Sequence, residues 1–412
     1  MSKLKGTNYH RAESLGDGAF GAVVVVYNDD GVEYAQKTFE EDEEDEDYTG
    51  ELDVGVLREL SALRLLMNRH ENVLTIEDIV YDEDTELISL IMPKYPMSLS
   101  DAIKKSHLPK GPPRVKVVHG LLSALAFLHD NDIVHRDVKT DNVMLDGNDT
   151  PILIDFSLAK VLTSEEVLTE ATHTGNVGSA CYIAPECYRN EPYGIKVDAY
   201  SAGVIALEIF NGKRLSVDRD KAAFTELAGV LEKLPEGKPF PTLLRGLLDH
   251  DVDSRSTCRS SLSSPLFQKS HVVPSVDRVL EPALKEVAPS VSDVFSKDNK
   301  LRVLLPKLST ALEISSDFAV AASKIYKNAA PNVPLQYCLM VASKMYDESP
   351  IHYNDCEEAI EGLSLECSID EYCKAELEIL ENMNYCLFVD FECVGEGRGS
   401  ADGRKKKKSR KN

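Results

Sequence analysis

One stretch, Ile133 to Lys160 (IVHRDVKTDNVMLDGNDTPILIDFSLAK), holds the residues best equipped for chemistry. Asp137, Lys139 and Asn142 fall within six residues, and a short apolar run, Ile152–Ile154, leads into a second acid, Asp155. A carboxylate accepts a hydroxyl proton, and a lysine neutralises a moving phosphate. An amide and a second carboxylate offer the oxygen ligands that magnesium takes. That is the inventory of phosphoryl transfer. Upstream, Leu15–Val23 (LGDGAFGAV) places Gly16, Gly18 and Gly21 where a backbone without side chains approaches phosphates. Ala22–Val26 reads as a strand, and strands on both sides of the glycines favour a hairpin over a dinucleotide-binding turn.

The elements that must position these groups are also visible. In Asp53–Asn68, the residues Val56, Leu57, Leu60, Leu63 and Leu66 recur at helical spacing. Leu87–Tyr95 reads as a strand and its exit, and Val115–Asp130 as an apolar core helix that delivers the Asp137 loop. From Leu301 the pattern becomes all helical, with five short helices expected at about Leu301–Leu312, Ser316–Lys327, Pro334–Met345, Tyr353–Glu361 and Ser368–Met383. A very apolar middle helix suggests a compact bundle.

A length of 412 residues predicts two domains, or one with an appendage. The net charge of −23 argues against nonspecific nucleic-acid binding by the whole chain. The acid gathers in Glu40–Asp47 (EEDEEDED), expected to be a solvated loop insert, whereas Arg404–Lys411 (RKKKKSRK) is basic. Nine cysteines without paired metal-ligand spacing fit a reducing intracellular compartment. No apolar run reaches bilayer length, so no membrane span is expected.

The motifs together resemble a known family. His135-Arg136-Asp137, Lys139, Asn142 and Asp155, in that order and spacing, resemble the catalytic and metal loops of eukaryotic protein kinases. The resemblance covers about Asn8 to Gln268 and implies a Ser/Thr kinase acting on protein substrates with ATP and Mg²⁺. It makes Asp137 the group that orients or accepts the substrate hydroxyl and sets Lys139 on the γ-phosphate. Asn142 and Asp155 become the metal ligands. Val23, Ala35 and Leu145 would enclose the adenine, with Pro93 to Tyr95 as hinge. Lys37 would hold the α- and β-phosphates, fixed by a pair with Glu59. Ala184-Pro185-Glu186 would close the activation segment. Thr174, five residues before Ser179, matches the activation-loop phosphothreonine, toward which Arg58, Arg136 and Lys160 would converge. Glu186 is expected to pair with Arg255, and Asp198 to brace the catalytic loop. Ser157 stands where the family's DFG has glycine, which narrows the loop's backbone choices. Ile183 and the short Glu186–Arg255 interval leave proline-directed specificity unsupported, and Ala19 and Phe20 exclude inhibitory phosphorylation of the glycine loop.

GVLRELSALRLL, with Arg58 before Glu59, resembles the cyclin-contacting helix of cyclin-dependent kinases. Leu335–Ser349 and Ser368–Leu387 resemble a single cyclin box, in which Lys344 and Glu376 match the residues that contact that helix. The fold class these resemblances imply is an α+β bilobal protein kinase fold followed by a small all-α cyclin-like bundle. The kinase domain spans 1–268, with an N-lobe of about 8–92 and a C-lobe of about 93–268. A linker spans 269–300, the cyclin-box-like domain 301–393, and a disordered basic tail 394–412. About thirty linker residues reach roughly 100 Å, enough for an intramolecular kinase–cyclin-like contact at an effective concentration on the order of millimolar. The alternatives are a cyclin-like regulator of another kinase and a docking scaffold for substrates. The basic tail resembles a nuclear-import signal, with nucleic-acid contact or contact with Glu40–Asp47 as its competitors.

Overall fold

The computed structural model describes residues 2–3, 8–18, 21–39, 52–82, 85, 87–108, 110–162, 181–215, 227, 229–268, 322, 325–326, 333–346 and 368–383. The acidic run 40–47, Thr174, Ser179, the linker 269–300 and the tail 394–412 lie outside the described residues.

A six-stranded antiparallel sheet comes first, in the order β1-β2-β3-β4-β6-β5. Its strands are β1 (Ser2–Lys3), β2 (Tyr9–Gly18), β3 (Gly21–Asn28), β4 (Glu33–Thr38), β5 (Asp78–Asp82) and β6 (Leu87–Pro93). β2 and β3 are the hairpin expected around the glycines, with Gly18 in register with Gly21. The valine run of β3 supplies the β-branched residues that suit a pleated, half-buried surface, and Val25 and Val26 are buried.

Between β4 and β5 runs helix α1 (Val54–Leu66). Asp53 caps it, its carboxylate accepting from the Gly55 amide at 2.7 Å, which satisfies one of the helix's open N–H groups. Leu57, Leu60, Leu63 and Leu66 are buried, at the spacing that puts them on one face. The helix therefore has little freedom to roll without exposing leucine.

The second lobe is built on helices. The short helix α2 (Leu99–Lys104) and the long α3 (Pro112–Asp130) lead to strand β8 (Ile133–Val134), then β9 (Val143–Leu145), β10 (Pro151–Leu153) and β11 (Lys160–Val161). Pro112 suits the first turn of α3, where its missing N–H would have no partner anyway. β9 pairs with β10 and with β7 (Met97–Ser98), and β11 pairs with β8. The two small ladders hold both ends of the Asp137 loop and the start of the Asp155 segment. Helix Lys196–Asn211 packs against α3 and ends on Gly212 in the left-handed region, φ 70°. At Gly203 an added Cβ would lie 2.8 Å from Leu248 and 2.9 Å from Leu247, so only glycine allows that close packing.

Beyond the second lobe two helices are described, Leu335–Tyr346 and Ile369–Asn382. They match the third and fifth expected helices. Ala322, Ile325 and Tyr326 are helical and buried within the second expected span, while 301–312 and 353–361 lie outside the described residues. The buried residues of these helices, Leu339, Val341, Ile379 and Leu380 among them, join the same hydrophobic cluster as α1 and α3.

Candidate active site

Asp198, fully buried at the start of helix Lys196–Asn211, shapes the loop that carries Asp137. Its carboxylate accepts from the backbone amides of His135 and Arg136, each at 2.9 Å, and pairs with His129 Nε2 at 2.9 Å. Burial opposes its charge, but His129 and the other donors outweigh burial and hold its pKa below the ordinary carboxylate value. Arg136 adopts φ +67°, an uncommon region for a side-chain-bearing residue, so the brace offsets local backbone strain. Asp198 thus takes the bracing position expected of it.

Within the loop, Lys139 Nζ donates to Asp137 Oδ2 at 2.5 Å. Asn142 Nδ2 donates to both the carbonyl and Oδ2 of Asp137, each at 2.9 Å. With its nitrogen engaged there, Asn142 keeps its amide oxygen as a donor atom for a cation. The Ile154 amide donates to the Asn142 carbonyl at 3.0 Å, so the strand end before Asp155 runs beside Asn142. An amide oxygen and a carboxylate are ligands that suit a hard cation such as Mg²⁺, so the residues present fit that ion.

Lys37 sits across the cleft on β4. Its ammonium donates to both oxygens of Glu59, at 2.8 and 2.6 Å, and lies 3.9 Å from Asp155 Oδ1. Burial pushes the Glu59 carboxyl up, against the pull of Lys37. Asp155 goes the other way. Burial would raise it, but Lys37, the Ser157 hydrogen bonds and His135 together hold it below the ordinary carboxylate value. Asp155 has φ +64°, while Ser157 is not among the residues with positive φ. The backbone here therefore does not demand glycine at 157.

Antiparallel register places Val23 opposite Lys37 and Val25 opposite Ala35, so these four share one face of the sheet. Lys37 is in turn opposite Leu90, and Ala35 opposite Met92. Pro93 ends β6 and Tyr95 follows, half-buried, with burial raising its phenol to about 12. Leu145, on β9, is buried in the second lobe. Gly16, Gly18 and Gly21 line the β2–β3 hairpin at the sheet's far end.

Of the expected phosphate-binding cations, Arg58, Arg136 and Lys160 are all buried, and Arg136 Nε donates to the Leu158 carbonyl at 2.7 Å. Their expected partner Thr174 lies outside the described residues. The Glu186–Arg255 pair is formed by two hydrogen bonds, 2.5 and 2.8 Å, with both side chains at most 1% exposed.

Lys344 and Glu376 meet α1 at the residue before its cap. Lys344 Nζ donates to the Leu52 carbonyl at 2.9 Å and to Glu376 Oε1 at 2.8 Å. Glu376 Oε2 accepts from the Leu52 amide at 2.8 Å, and Tyr372 Oη donates to Glu376 Oε1 at 2.7 Å. Lower on α1, Ser61 contacts the Met345 sulfur at 3.9 Å. Sequence reasoning had pointed these two side chains at the α1 helix, yet gave no sign that their target is a peptide group at Leu52. It also missed His129, whose pairing with Asp198 spans 69 positions and has no local signal, and Gly55, whose neighbour in space is Ser157.

Residues 9–267 match the model of the protein kinase domain. Cysteine-rich receptor-like protein kinase 24 of Arabidopsis thaliana is 27% identical over 61% of this chain and 39% of its own length. Human cyclin-dependent kinase-like 5 is 31% identical over 49% of this chain and 20% of its own. L-type lectin-domain containing receptor kinase VIII.2 of Arabidopsis thaliana is 34% identical over 52% of this chain and 29% of its own. The chain thus spans well under half the length of these relatives, and the family match ends ahead of helices Leu335–Tyr346 and Ile369–Asn382. On the match to residues 9–267, the chain belongs to the protein kinase domain family.

Proposed function

We propose that the chain is an ATP-dependent Ser/Thr protein kinase whose C-terminal helices act in cis as a cyclin-like module. The observation that carries the reading is the placement of α1. Lys37 and Glu59 are paired at 2.6 Å while Lys344 and Glu376 hold the peptide just ahead of the same helix. A kinase whose lysine–glutamate pair depends on helix position gains activity from anything that fixes that helix inward.

When bound, ATP supplies the transferable phosphoryl group and magnesium the neutralising charge. Asp137 accepts the hydrogen bond of the incoming serine or threonine hydroxyl and takes its proton. Lys139, which bonds Asp137 here, would neutralise charge on the γ-phosphate. Lys37 fixes the α- and β-phosphates, with Glu59 preventing the ammonium from drifting. Asn142 and Asp155 would hold the metal. Val23, Ala35 and Leu145 provide apolar walls for the adenine, and the Pro93–Tyr95 backbone faces its edge. The glycines of the β2–β3 hairpin cover the phosphates. Arg58, Arg136 and Lys160 receive a phosphorylated Thr174. Catalysis on this account is mostly positioning and charge stabilisation.

The test is phosphate transfer from labelled ATP to a generic basic protein, comparing the full chain with its Asp155→Ala variant. Transfer by the first and not the second supports the reading. Equal signal from both, or none from the full chain after phosphorylation by an added activating kinase, overturns it.

A further inference from the structure

Ser157 is the one departure from the family's metal-loop motif, and its surroundings are specific. Its hydroxyl donates to Asp155 Oδ1 at 2.8 Å, and its amide approaches the same oxygen at 3.4 Å. Lys37 lies 3.9 Å from that oxygen too. The residue is buried, at 5% exposure, so the hydrogen bond is shielded from competing water. On its other side stands the first turn of α1. A Cβ built on Gly55 would lie 3.4 Å from Ser157 Cβ and 3.5 Å from its carbonyl oxygen. Its tight contact would be with the capping oxygen of Asp53, at 2.8 Å, whereas it would meet Ser157 at ordinary van der Waals distance, so the first turn of α1 lies beside Ser157. A glycine at the second position of a helix is otherwise a poor choice, because it adds backbone freedom without adding packing.

We propose that Ser157 is a positioning residue that passes the location of α1 to the carboxylate of Asp155. The chain of contacts is short. Glu376 and Lys344 hold the Leu52 peptide, Asp53 caps α1 through the Gly55 amide, Gly55 lies beside Ser157, and Ser157 holds Asp155. With α1 inward, the Ser157 side chain is confined between Gly55 and Asp155, and its hydroxyl fixes the carboxylate orientation before the metal arrives. With α1 displaced, that confinement is released and the carboxylate is free to turn. The serine and the glycine are thus two halves of one device. This inference rests on the kinase reading, since it concerns the metal ligand that reading assigns.

The experiment uses the full chain and measures binding of a non-hydrolysable ATP analogue by calorimetry across a magnesium series, alongside kcat. Hydrogen bonds to charged groups of this kind predict that Ser157→Ala and Ser157→Gly each raise the magnesium concentration for half-maximal binding about tenfold. Binding of the analogue without magnesium is expected to stay unchanged. Ser157→Thr, which keeps the hydroxyl, restores the magnesium dependence. Gly55→Ala, whose Cβ would crowd the Asp53 cap and shift the start of α1, raises the magnesium requirement in the parent chain and much less in the Ser157→Gly background, the non-additivity expected of coupled neighbours. Wild-type magnesium dependence in both Ser157→Ala and Ser157→Gly would overturn the positioning role, and additive effects of the two positions would overturn the relay from α1. Absence of magnesium-dependent binding in the parent chain would instead sink the kinase reading, and this inference with it.

Discussion

On the proposed reading, substitutions at Lys344 and Glu376 separate activation from folding. Their side chains are 1% and 0% exposed, each bonds the other and the Leu52 peptide, and Glu376 also accepts from Tyr372 Oη. Removing Lys344 alone leaves the buried Glu376 carboxylate with two neutral donors and no cation, a break in a buried pair that costs up to about 3–5 kcal/mol. That penalty falls on the helical region itself, so a single variant confounds stability with control. The double substitution Lys344→Met with Glu376→Leu replaces the pair by apolar groups of similar volume, which is often neutral for stability. It still removes both bonds to Leu52. At roughly 1.5–3 kcal/mol for each hydrogen bond to a charged group, the inward position of α1 loses about 3 kcal/mol at the low end. With about 1.4 kcal/mol to each tenfold, the expected fall in kcat is about a hundredfold. The assay is phosphate transfer at saturating ATP, paired with a thermal melt followed by circular dichroism. A double variant that melts like the parent and keeps kcat to within about threefold, less than 1 kcal/mol, would refute the reasoning.

Two further outcomes follow from groups away from the active site. Arg255→Ala strands Glu186 beneath the second lobe and is expected to destabilise the chain by about 3–5 kcal/mol, read as a lowered denaturant midpoint. His70 is held neutral: the Asn72 amide donates to its Nδ1, its Nε2 lies 3.0 Å from Ser123 Oγ, and its ring stacks on Phe127. Burial, with Arg259 adding to it, lowers its pKa from 6.5 to about 4. The unfolded chain takes up a proton near pH 6.5 that the folded chain refuses until about 4, so this contribution is complete above 6.5 and is lost as pH falls through that window. It amounts to at most about 3 kcal/mol, reduced by the ring's partial exposure, and His70→Gln is expected to flatten the urea-stability profile between those pH values relative to the parent.

Much of this was legible in the sequence because the information is local. Asp137, Lys139 and Asn142 are set by one loop, and the leucines of α1 declare their buried face by spacing alone. The Lys37–Glu59 contact was inferred from a resemblance that carries three-dimensional knowledge, since nothing within either segment points to the other. The Asp198–His129 brace and the Gly55–Ser157 contact were not legible. Both depend on which elements the fold stacks together. Ser157 illustrates the difference: as a substitution it suggested a loss of backbone freedom, whereas in the fold its backbone is ordinary and its hydroxyl makes a bond that glycine lacks.

The clasp on α1 grips the N–H and C=O of Leu52, not its side chain. Every amino acid except proline presents that same pair of groups. The polar part of the contact is therefore indifferent to what residue 52 is, and it tolerates drift there as long as the chain's path is kept. Specificity moves from side-chain identity to geometry: a competing helical partner from another chain would need to match only the angle at which this peptide is offered. Discrimination against such competitors then falls to the apolar packing around the clasp and to the tether that keeps both halves in one molecule.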